Sequence, residues 1–415
     1  MKSSRVRVLV TDAHSTSALA IVRSLGAAGM QVTVVGEQHR VNLAFRSRHT
    51  HRTVTCVAAE DQPEQYVESL AAELRNGYDL LLPASDSTVA IVRHYRDRLD
   101  AMVRIALPPN ATLEAAVDKF RTLCCARQNG VAAPRTWHFE TLDALDAAAD
   151  TLPLPTVVKP RWSRQWTGTG PILRGSVTHA STSADLRRIV RDAPGGPASV
   201  LVQQRVAGEG VGVFVLADHG EPLVVFAHRR LREANPTGGR ASLAESIAPA
   251  ERITAPALRL LRALRWHGVA MVEFKDPGAP GEPILMEING RFWGSLPLAI
   301  ACGVDFPTML VRMMLGEPIE PPARYPIGVR CRHLHGDVSY LVAVLKGRPR
   351  QWDGLFPDRI AGVLSVLPWP GRWRPYNFSM SDPLPALYEA GRFVVDEVRA
   401  LTSRLVPPAA ARGHR

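Results

Sequence analysis

The sequence predicts a multidomain protein of mixed α/β and α+β class, and three observations lead to this prediction. The chain has 415 residues, more than one hydrophobic core usually organises, so two or three domains are expected. Its first part alternates strand-like and helix-like patterns, which is typical of a parallel sheet. Farther along, alternating strands are joined by glycine-containing turns, which is typical of antiparallel pairs.

Polar side chains follow the strands of the predicted parallel sheet. The first strand is RVRVLV at Arg5–Val10, and Asp12, His14 and Ser15 come directly after it. Asp86 follows a later buried strand and is either a helix N-cap or a substrate contact. Ligands of parallel sheets bind beyond the carboxyl ends of the strands. The turn DAHSTS lacks the glycines of a dinucleotide-binding motif, which disfavours a nicotinamide site.

Composition and charge exclude several classes of protein. The net charge of +11 comes from arginines spread along the chain, which indicates anionic small molecules rather than nucleic acid, or a genome rich in arginine codons. The sequence contains no run of about 18 apolar residues, so no membrane span is predicted. The five cysteines have no disulfide-framework spacing and the first residues do not resemble a signal peptide, so we expect a cytoplasmic protein.

The most informative feature is an acidic hairpin, GVAMVEFKDPGAPGEPILMEING at 268–290. Strand alternation puts Leu285, Glu287 and Asn289 on one face of the second strand, opposite Glu273 of the first. Adjacent carboxylates repel each other, so the pair requires a cation. Three oxygen donors favour magnesium or manganese over zinc. The alternative is an exposed hairpin with solvated acids.

Three basic residues lie where phosphate groups could bind. Lys159 ends the apolar strand TVVKP, and Lys119 lies in VDKFRT. Each is either a point charge for a nucleotide phosphate or a surface lysine with a buried stem. Arg291, in NGRFWGS, offers a guanidinium to a phosphate oxygen. Ser295 ends the same segment and is a candidate substrate contact.

A basic strand and a glycine loop predict a second anion-binding region. The segment HRRLR at His228–Arg232 precedes NPTGGR at Asn235–Arg240, which makes Arg230 and Gly239 candidate substrate contacts. The alternative is a basic edge strand that prevents aggregation. The alternating Cys, His, His and Asp of Cys331–Asp337 predict one face of a strand rather than a metal site, because no further ligands follow.

The order of these motifs carries a family resemblance. DKFRT, VVKP, a glycine loop, LVQQRVAGEG, VEF and MEINGRFWGS together resemble the ATP-grasp superfamily. The closest similarity is to its carboxylate–amine ligases and to carbamoyl-phosphate-synthase large-chain-like members. It covers roughly residues 5–318. The resemblance implies an N-terminal Rossmann-like (pre-ATP-grasp) parallel sheet, a two-lobed ATP-grasp domain with antiparallel sheets, and a C-terminal extension. The corresponding boundaries are 1–115, 116–205 for the lid lobe, 206–320 for the lobe with the metal site, and 321–415 for an extension of unknown role.

The resemblance also implies ATP and Mg²⁺ (or Mn²⁺) as cofactors. It assigns metal binding to Glu273, Glu287 and Asn289, catalysis to Lys159 and Arg291, and nucleotide binding to Lys119, Lys159, Gln203, Gln204, Val206 and Glu209. The chain departs from the family where Gln203 and Gln204 replace an acidic residue near the adenine. The phosphate-covering loop is also unusual because it contains Trp162 and Trp166, which either close over substrate or anchor the lid.

The expected activity is therefore that of an ATP-dependent ligase forming carbon–nitrogen bonds. A carboxylate would become an acylphosphate, and an amine would then displace the phosphate. The partners would be small-molecule carboxylate and amine substrates, not nucleic acid, and a homodimer is left open. Two alternatives remain, a bicarbonate-activating carboxylase-like enzyme and a catalytically silent ATP-binding protein.

Overall fold

The N-terminal part of the chain forms a parallel sheet, as predicted. The computed structural model describes residues 5–349, 352, 354–367 and 373–393. The sheet has the strand order β3-β2-β1-β4-β5, with all neighbours parallel. Its strands are β1 (Arg7–Val10), β2 (Gln31–Glu37), β3 (Arg52–Cys56), β4 (Leu80–Leu82) and β5 (Arg104–Ile105). The helices in this part are α1 (Thr16–Ala27), α2 (Pro63–Leu74), α3 (Asp86–His94), α4 (Arg96–Asp100), α5 (Asn110–Val117) and α6 (Lys119–Gln128).

A four-stranded antiparallel sheet follows and has its own small core. Its order is β6-β9-β7-β8. The strands are β6 (Thr136–Trp137), β7 (Thr156–Pro160), β8 (Thr178–Ala180) and β9 (Val200–Gln204), with helices α7 (Leu142–Ala148) and α8 (Ser183–Arg191). Leu145, Val158 and Leu186 are buried together in this core. We call this unit, residues 136–204, the lid.

The largest sheet has seven strands in the order β14-β13-β10-β11-β12-β15-β16. All neighbours are antiparallel except β15 and β16. The strands are β10 (Glu209–Asp218), β11 (Glu221–Glu233), β12 (Ala241–Ile247), β13 (Gly268–Asp276), β14 (Ile284–Asn289), β15 (Arg330–Arg332) and β16 (Trp373–Pro375). The helices are α9 (Glu251–Ala263), α10 (Leu296–Ala301), α11 (Phe306–Leu315), α12 (Leu334–Lys346) and α13 (Arg359–Val366).

The parallel sheet and the large sheet share their hydrophobic cores. One core joins Leu9 and Leu81 to Val213 and Phe274. The other joins Val8 and Val34 to residues of the large sheet and of α10 and α11. Burial of apolar surface is the main favourable term in folding, so these two units stabilise each other while the lid core stands apart.

One local prediction is corrected by the structure. The segment Cys331–Asp337 is not one strand face, because β15 ends at Arg332 and His333 is the N-cap of α12. Helix α5, which contains the predicted domain boundary at 115, packs into the shared core through Leu113. The last described residues, 384–393, are helical.

No helix in the described ranges combines the length and the apolar character that crossing a bilayer requires.

The strands of the C-terminal extension, β15 and β16, continue the large sheet beyond β12. Part of the extension is therefore integral to the sheet.

A histidine is buried in the large sheet without a polar partner. His228 on β11 packs edge-on against Phe214, with 4.6 Å between the ring centroids. Neither of its ring nitrogens has a hydrogen-bond partner. Burial, together with the nearby Arg230 guanidinium, lowers the pKa of His228 to about 3. The side chain therefore stays neutral in the folded protein at pH values where an exposed histidine is charged.

This burial predicts a pH-dependent loss of stability. In the unfolded state His228 binds a proton as the pH falls below about 6.5, whereas in the folded state it stays neutral until about pH 3. The free energy of unfolding is therefore unaffected by this residue above pH 6.5 and decreases as the pH falls below that value. Between pH 7 and pH 4.5 we expect a loss of about 2 to 3 kcal/mol in the free energy of unfolding from this residue. Urea titrations at both pH values should show that His228→Leu is less pH-sensitive by that amount. The exposed His51 provides the control, and a His228→Leu curve parallel to that of His51→Leu contradicts the prediction.

Candidate functional site

The two acidic residues of the predicted hairpin face each other across adjacent strands. Glu273 on β13 pairs with Glu287 on β14, but the next pair is Phe274 with Leu285, which leaves Met286 as an extra residue in a β-bulge. The bulge reverses the alternation, so Leu285 is buried with Phe274 in the shared core. The prediction that Leu285 shares a face with Glu287 is therefore wrong, because a bulge shifts which side chains share a face.

Asn289 and Arg230 hold the acidic pair together. The Asn289 amide donates to an oxygen of Glu273 and to one of Glu287, each at 3.2 Å. Arg230 on β11 reaches across β10 to form an ion pair with Glu273. It can do so because the intervening strand has glycines: a Cβ at Gly210 would lie 2.9 Å from the Arg230 side chain.

The two predicted lysines approach Glu287 from other elements. Lys119 begins α6, which Asp118 caps, and its ammonium lies 3.6 Å from a Glu287 oxygen and 2.8 Å from the Ser163 hydroxyl. Lys159 on β7 donates to the Met286 carbonyl at 3.4 Å. The bulge thus provides the acceptor for a lysine that comes from the lid. Lid, α6 and large sheet meet at Glu287.

Arg291 is paired with the parallel-sheet domain. Its guanidinium donates to both carboxylate oxygens of Asp86, at 2.7 and 2.8 Å, and to the Asn289 amide oxygen at 3.3 Å. Asp86 is not an N-cap, because Ser85 caps α3. Of the two alternatives for Asp86, capping is excluded. The residue instead joins the N-terminal helix α3 to the site.

Burial and charge set the protonation of the site. Burial lowers the pKa of Lys159 to about 8, while Glu287 opposes the shift. Burial raises the pKa of Glu273, against the pull of Arg230. Burial acts the same way on Glu287, but Lys119 and Lys159 outweigh it and hold the pKa of this carboxyl below its ordinary value. Glu287 is therefore ionised at neutral pH.

The remaining predicted site residues lie on the surrounding elements. Gln203 is buried in β9 and donates to the Thr136 hydroxyl at 2.9 Å, while Gln204 is exposed at the strand end. The strand ends there, so Val206 lies in the connection between the lid and β10. Glu209 starts β10, 3.9 Å from Arg229. In the described part of the chain, none of these four residues forms a hydrogen bond or ion pair with Glu273 or Glu287.

The two other predicted substrate contacts, Gly239 and Ser295, lie in different parts of the site. The carbonyl of Gly239 accepts a hydrogen bond from Arg230 at 3.2 Å, so the loop Asn235–Arg240 folds back against this arginine. Ser295 is buried at the start of α10. Gly239 thus joins the acidic cluster through Arg230, whereas Ser295 lies beyond Arg291 along the chain.

The lid loop that contains Arg164 and Trp166 contacts the parallel-sheet domain. Sequence patterns did not predict this contact. Arg164 pairs with Glu60 at 2.6 Å and contacts the Ser87 hydroxyl at 3.1 Å. Trp166 packs against His94 on α3, with 4.8 Å between ring centroids. Trp166 is therefore an anchor of the loop. Glu60 lies about a hundred residues before Arg164 in the sequence, and no local pattern links two residues so far apart.

The residues fit a hard divalent cation. The Asn289 amide lies within hydrogen-bond distance of both the Glu273 and the Glu287 carboxylate. Carboxylate and amide oxygens are the ligand chemistry that Mg²⁺ and Mn²⁺ prefer. Arg230 pairs with one carboxylate oxygen of Glu273, and the other oxygen accepts from the Asn289 amide. Arg230 therefore does not occupy both Glu273 oxygens. A neighbouring cleft is lined by Asp86, Lys119, Glu287 and Asn289, with both signs of charge.

Known structures share this architecture. An L-amino acid ligase from Bacillus licheniformis aligns with a TM-score of 0.59 at 18% identity, covering 77% of this chain and 76% of that one. An N5-carboxyaminoimidazole synthetase from Staphylococcus aureus aligns with a TM-score of 0.60 at 12% identity, over 78% and 80%. The biotin carboxylase domain of a 2-oxoglutarate carboxylase from Hydrogenobacter thermophilus, a dimer with MgADP, ADP and bicarbonate, aligns with a TM-score of 0.58 at 15% identity, over 78% and 73%.

These similarities confirm the fold that the sequence motifs implied, which is the ATP-grasp fold. Within it, residues 197–336 match a family described as "ATP-grasp in the biosynthetic pathway with Ter operon". The match includes the acidic pair, Asn289 and Arg291. No curated protein matches the sequence significantly.

The Asp86–Arg291 pair predicts a coupling between the two domains. Removing one partner leaves a largely buried charge without its counter-ion, which is destabilising. In a double-mutant cycle with Asp86→Asn and Arg291→Gln, we expect a coupling of about 1 to 3 kcal/mol in the free energy of unfolding, reduced from the fully buried value by partial exposure. The exposed pair Arg98–Glu68 is the control and should couple less strongly. Additive effects of Asp86→Asn and Arg291→Gln rule out this role.

Proposed function

We propose that this protein is a magnesium-dependent, ATP-using ligase that activates a carboxylate as an acylphosphate and joins it to an amine. The observation that carries the proposal is the convergence of Lys119, Lys159 and Arg291 on Glu287, Glu273 and Asn289. These groups come from the lid, α6 and the large sheet, the parts between which a nucleotide would lie in this fold. We further propose the partition 1–115, 116–205, 206–320 and 321–415 as its functional units.

The proposed mechanism relies on positioning and charge neutralisation. Lys119 and Lys159 would bind ATP phosphates, while the segment Val202–Val206 would line the adenine and Glu209 would contact the ribose. A bound Mg²⁺, held by Glu273, Glu287 and Asn289, would neutralise phosphate charge. A substrate carboxylate oxygen attacks the γ-phosphorus and ADP leaves. The amine nitrogen then attacks the acyl carbon, loses a proton, and inorganic phosphate departs.

The Asp86–Arg291 pair supports an α-amino acid as one substrate. Arg291 is already paired with a carboxylate, so a simple anion would have to displace Asp86 and leave it unpaired. A zwitterion would satisfy both partners, because its carboxylate binds the guanidinium while its ammonium binds Asp86. The B. licheniformis relative, which is an L-amino acid ligase, is consistent with this proposal.

The metal assignment is tested by Glu287→Gln. This change removes the ionised acid that faces Lys119 and Lys159, so substrate-dependent ADP release should fall by more than about a hundredfold. Coupled-enzyme detection of ADP, with circular dichroism to verify folding, provides the measurement. Glu221→Gln, at an exposed position, is the control. A folded Glu287→Gln protein with full turnover would show that the metal assignment is wrong.

The substrate class is tested by matched pairs of acids. Phosphate release from ATP should be stimulated by an α-amino acid such as alanine together with a second amino acid, and at least about tenfold less by propionate. Stimulation by bicarbonate alone would favour the carboxylase-like alternative. Tight ATP binding without ADP release across the whole screen would favour a silent ATP-binding protein.

A further inference from the structure

Exposed apolar side chains are concentrated in the C-terminal part of the chain. Of the 17 large hydrophobic residues that are exposed among the described residues, 14 lie between Ile327 and Leu387. Monomeric proteins scatter such side chains singly over their surface, whereas clusters mark interaction sites. This distribution indicates a surface with a function unrelated to the ATP-grasp cleft.

Two neighbouring helices present most of this surface. The buried side of α12 contains Tyr340 and Val344, and Val344 packs against Gly362 of α13. The outward sides carry residues spaced three or four apart, as a single helix face requires. They are Leu334, Val338, Val342 and Leu345 on α12, and Ile360, Val363, Leu364 and Leu367 on α13. We call these eight residues the apolar face.

The same part of the chain is strongly basic. Residues 321–415 contain 14 Lys and Arg against 7 Asp and Glu, a net charge of +7, which is most of the +11 of the whole chain. Beside the apolar face, Lys346, Arg348 and Arg359 are exposed, whereas Asp358 is the one exposed acid of these two described helices and their caps. Asp337 is buried against Arg232 and Arg332.

We propose that the apolar face binds the surface of an anionic lipid bilayer. Helices that lie on a membrane combine an apolar side, which enters the acyl boundary, with flanking Lys and Arg that attract anionic headgroups. Leu355, which is 97% exposed, lies in the connection between α12 and α13 and is a further exposed apolar side chain of this part of the chain. Both attractive forces thus act on one surface.

Charge disfavours the other occupants of this face. A second copy of the chain would bring another basic surface against the first, and like charges repel. Residues 394–415 are themselves basic, with four arginines against two acids. An anionic bilayer supplies the opposite charge and an apolar interior together.

The test is flotation of the full chain with phosphatidylcholine vesicles that contain or lack phosphatidylglycerol. We expect binding only to the vesicles with phosphatidylglycerol, decreasing as NaCl is raised. The double variant Leu345→Glu/Leu364→Glu should lower the partition coefficient at least about tenfold, since two leucines no longer enter the lipid. Val177→Glu, which adds a charge at an exposed valine outside this surface, should bind as the unchanged protein does.

Three results would overturn the proposal. The first is an unchanged protein that stays in solution with both kinds of vesicle. The second is a folded double variant, verified by circular dichroism, that binds vesicles as well as Val177→Glu. The third is a concentration-dependent dimer in light scattering that the double variant abolishes, because a second copy of the chain then covers the face.

Discussion

Two carboxylates on adjacent strands can lie side by side only where cations surround them, and the site of this protein is organised by that constraint. Glu273 is held by Arg230, and Glu287 by Lys119 and Lys159. Each cation comes from a different element: β11, α6 and β7. The electrostatic requirement of one hairpin therefore brings together parts of the chain that are far apart in sequence.

Backbone irregularities make this arrangement sterically feasible. The bulge at Met286 turns Leu285 into the core and leaves a carbonyl for Lys159. The glycine at 210 lets the Arg230 side chain pass over β10 to Glu273. A side chain at position 210 of β10 would instead collide with the Arg230 side chain that balances Glu273.

The parallel-sheet domain takes part in the site as well as in folding. Its core is shared with the large sheet, so its position relative to β14 is set by packing. Asp86 then meets Arg291, and Glu60 meets Arg164 of the lid loop. Most of the lid has a separate core, but Ile172 of its glycine-containing loop is buried in the core that the parallel sheet shares with the large sheet. An apolar contact therefore holds this loop against the rest of the protein, beside the polar and aromatic contacts.

The sequence by itself determined the fold class and the acidic hairpin, because both follow from local patterns. These patterns are strand alternation, oxygen-bearing side chains at alternate positions, and lysines at strand and helix ends. The order of motifs implied the ATP-grasp fold correctly. Only the tertiary structure decided that Asp86 pairs with Arg291, that Leu285 leaves the face of Glu287, and that Trp166 anchors the lid loop. These outcomes depend on a one-residue bulge and on contacts between residues about 70 or more positions apart, and neither produces a periodicity in the chain.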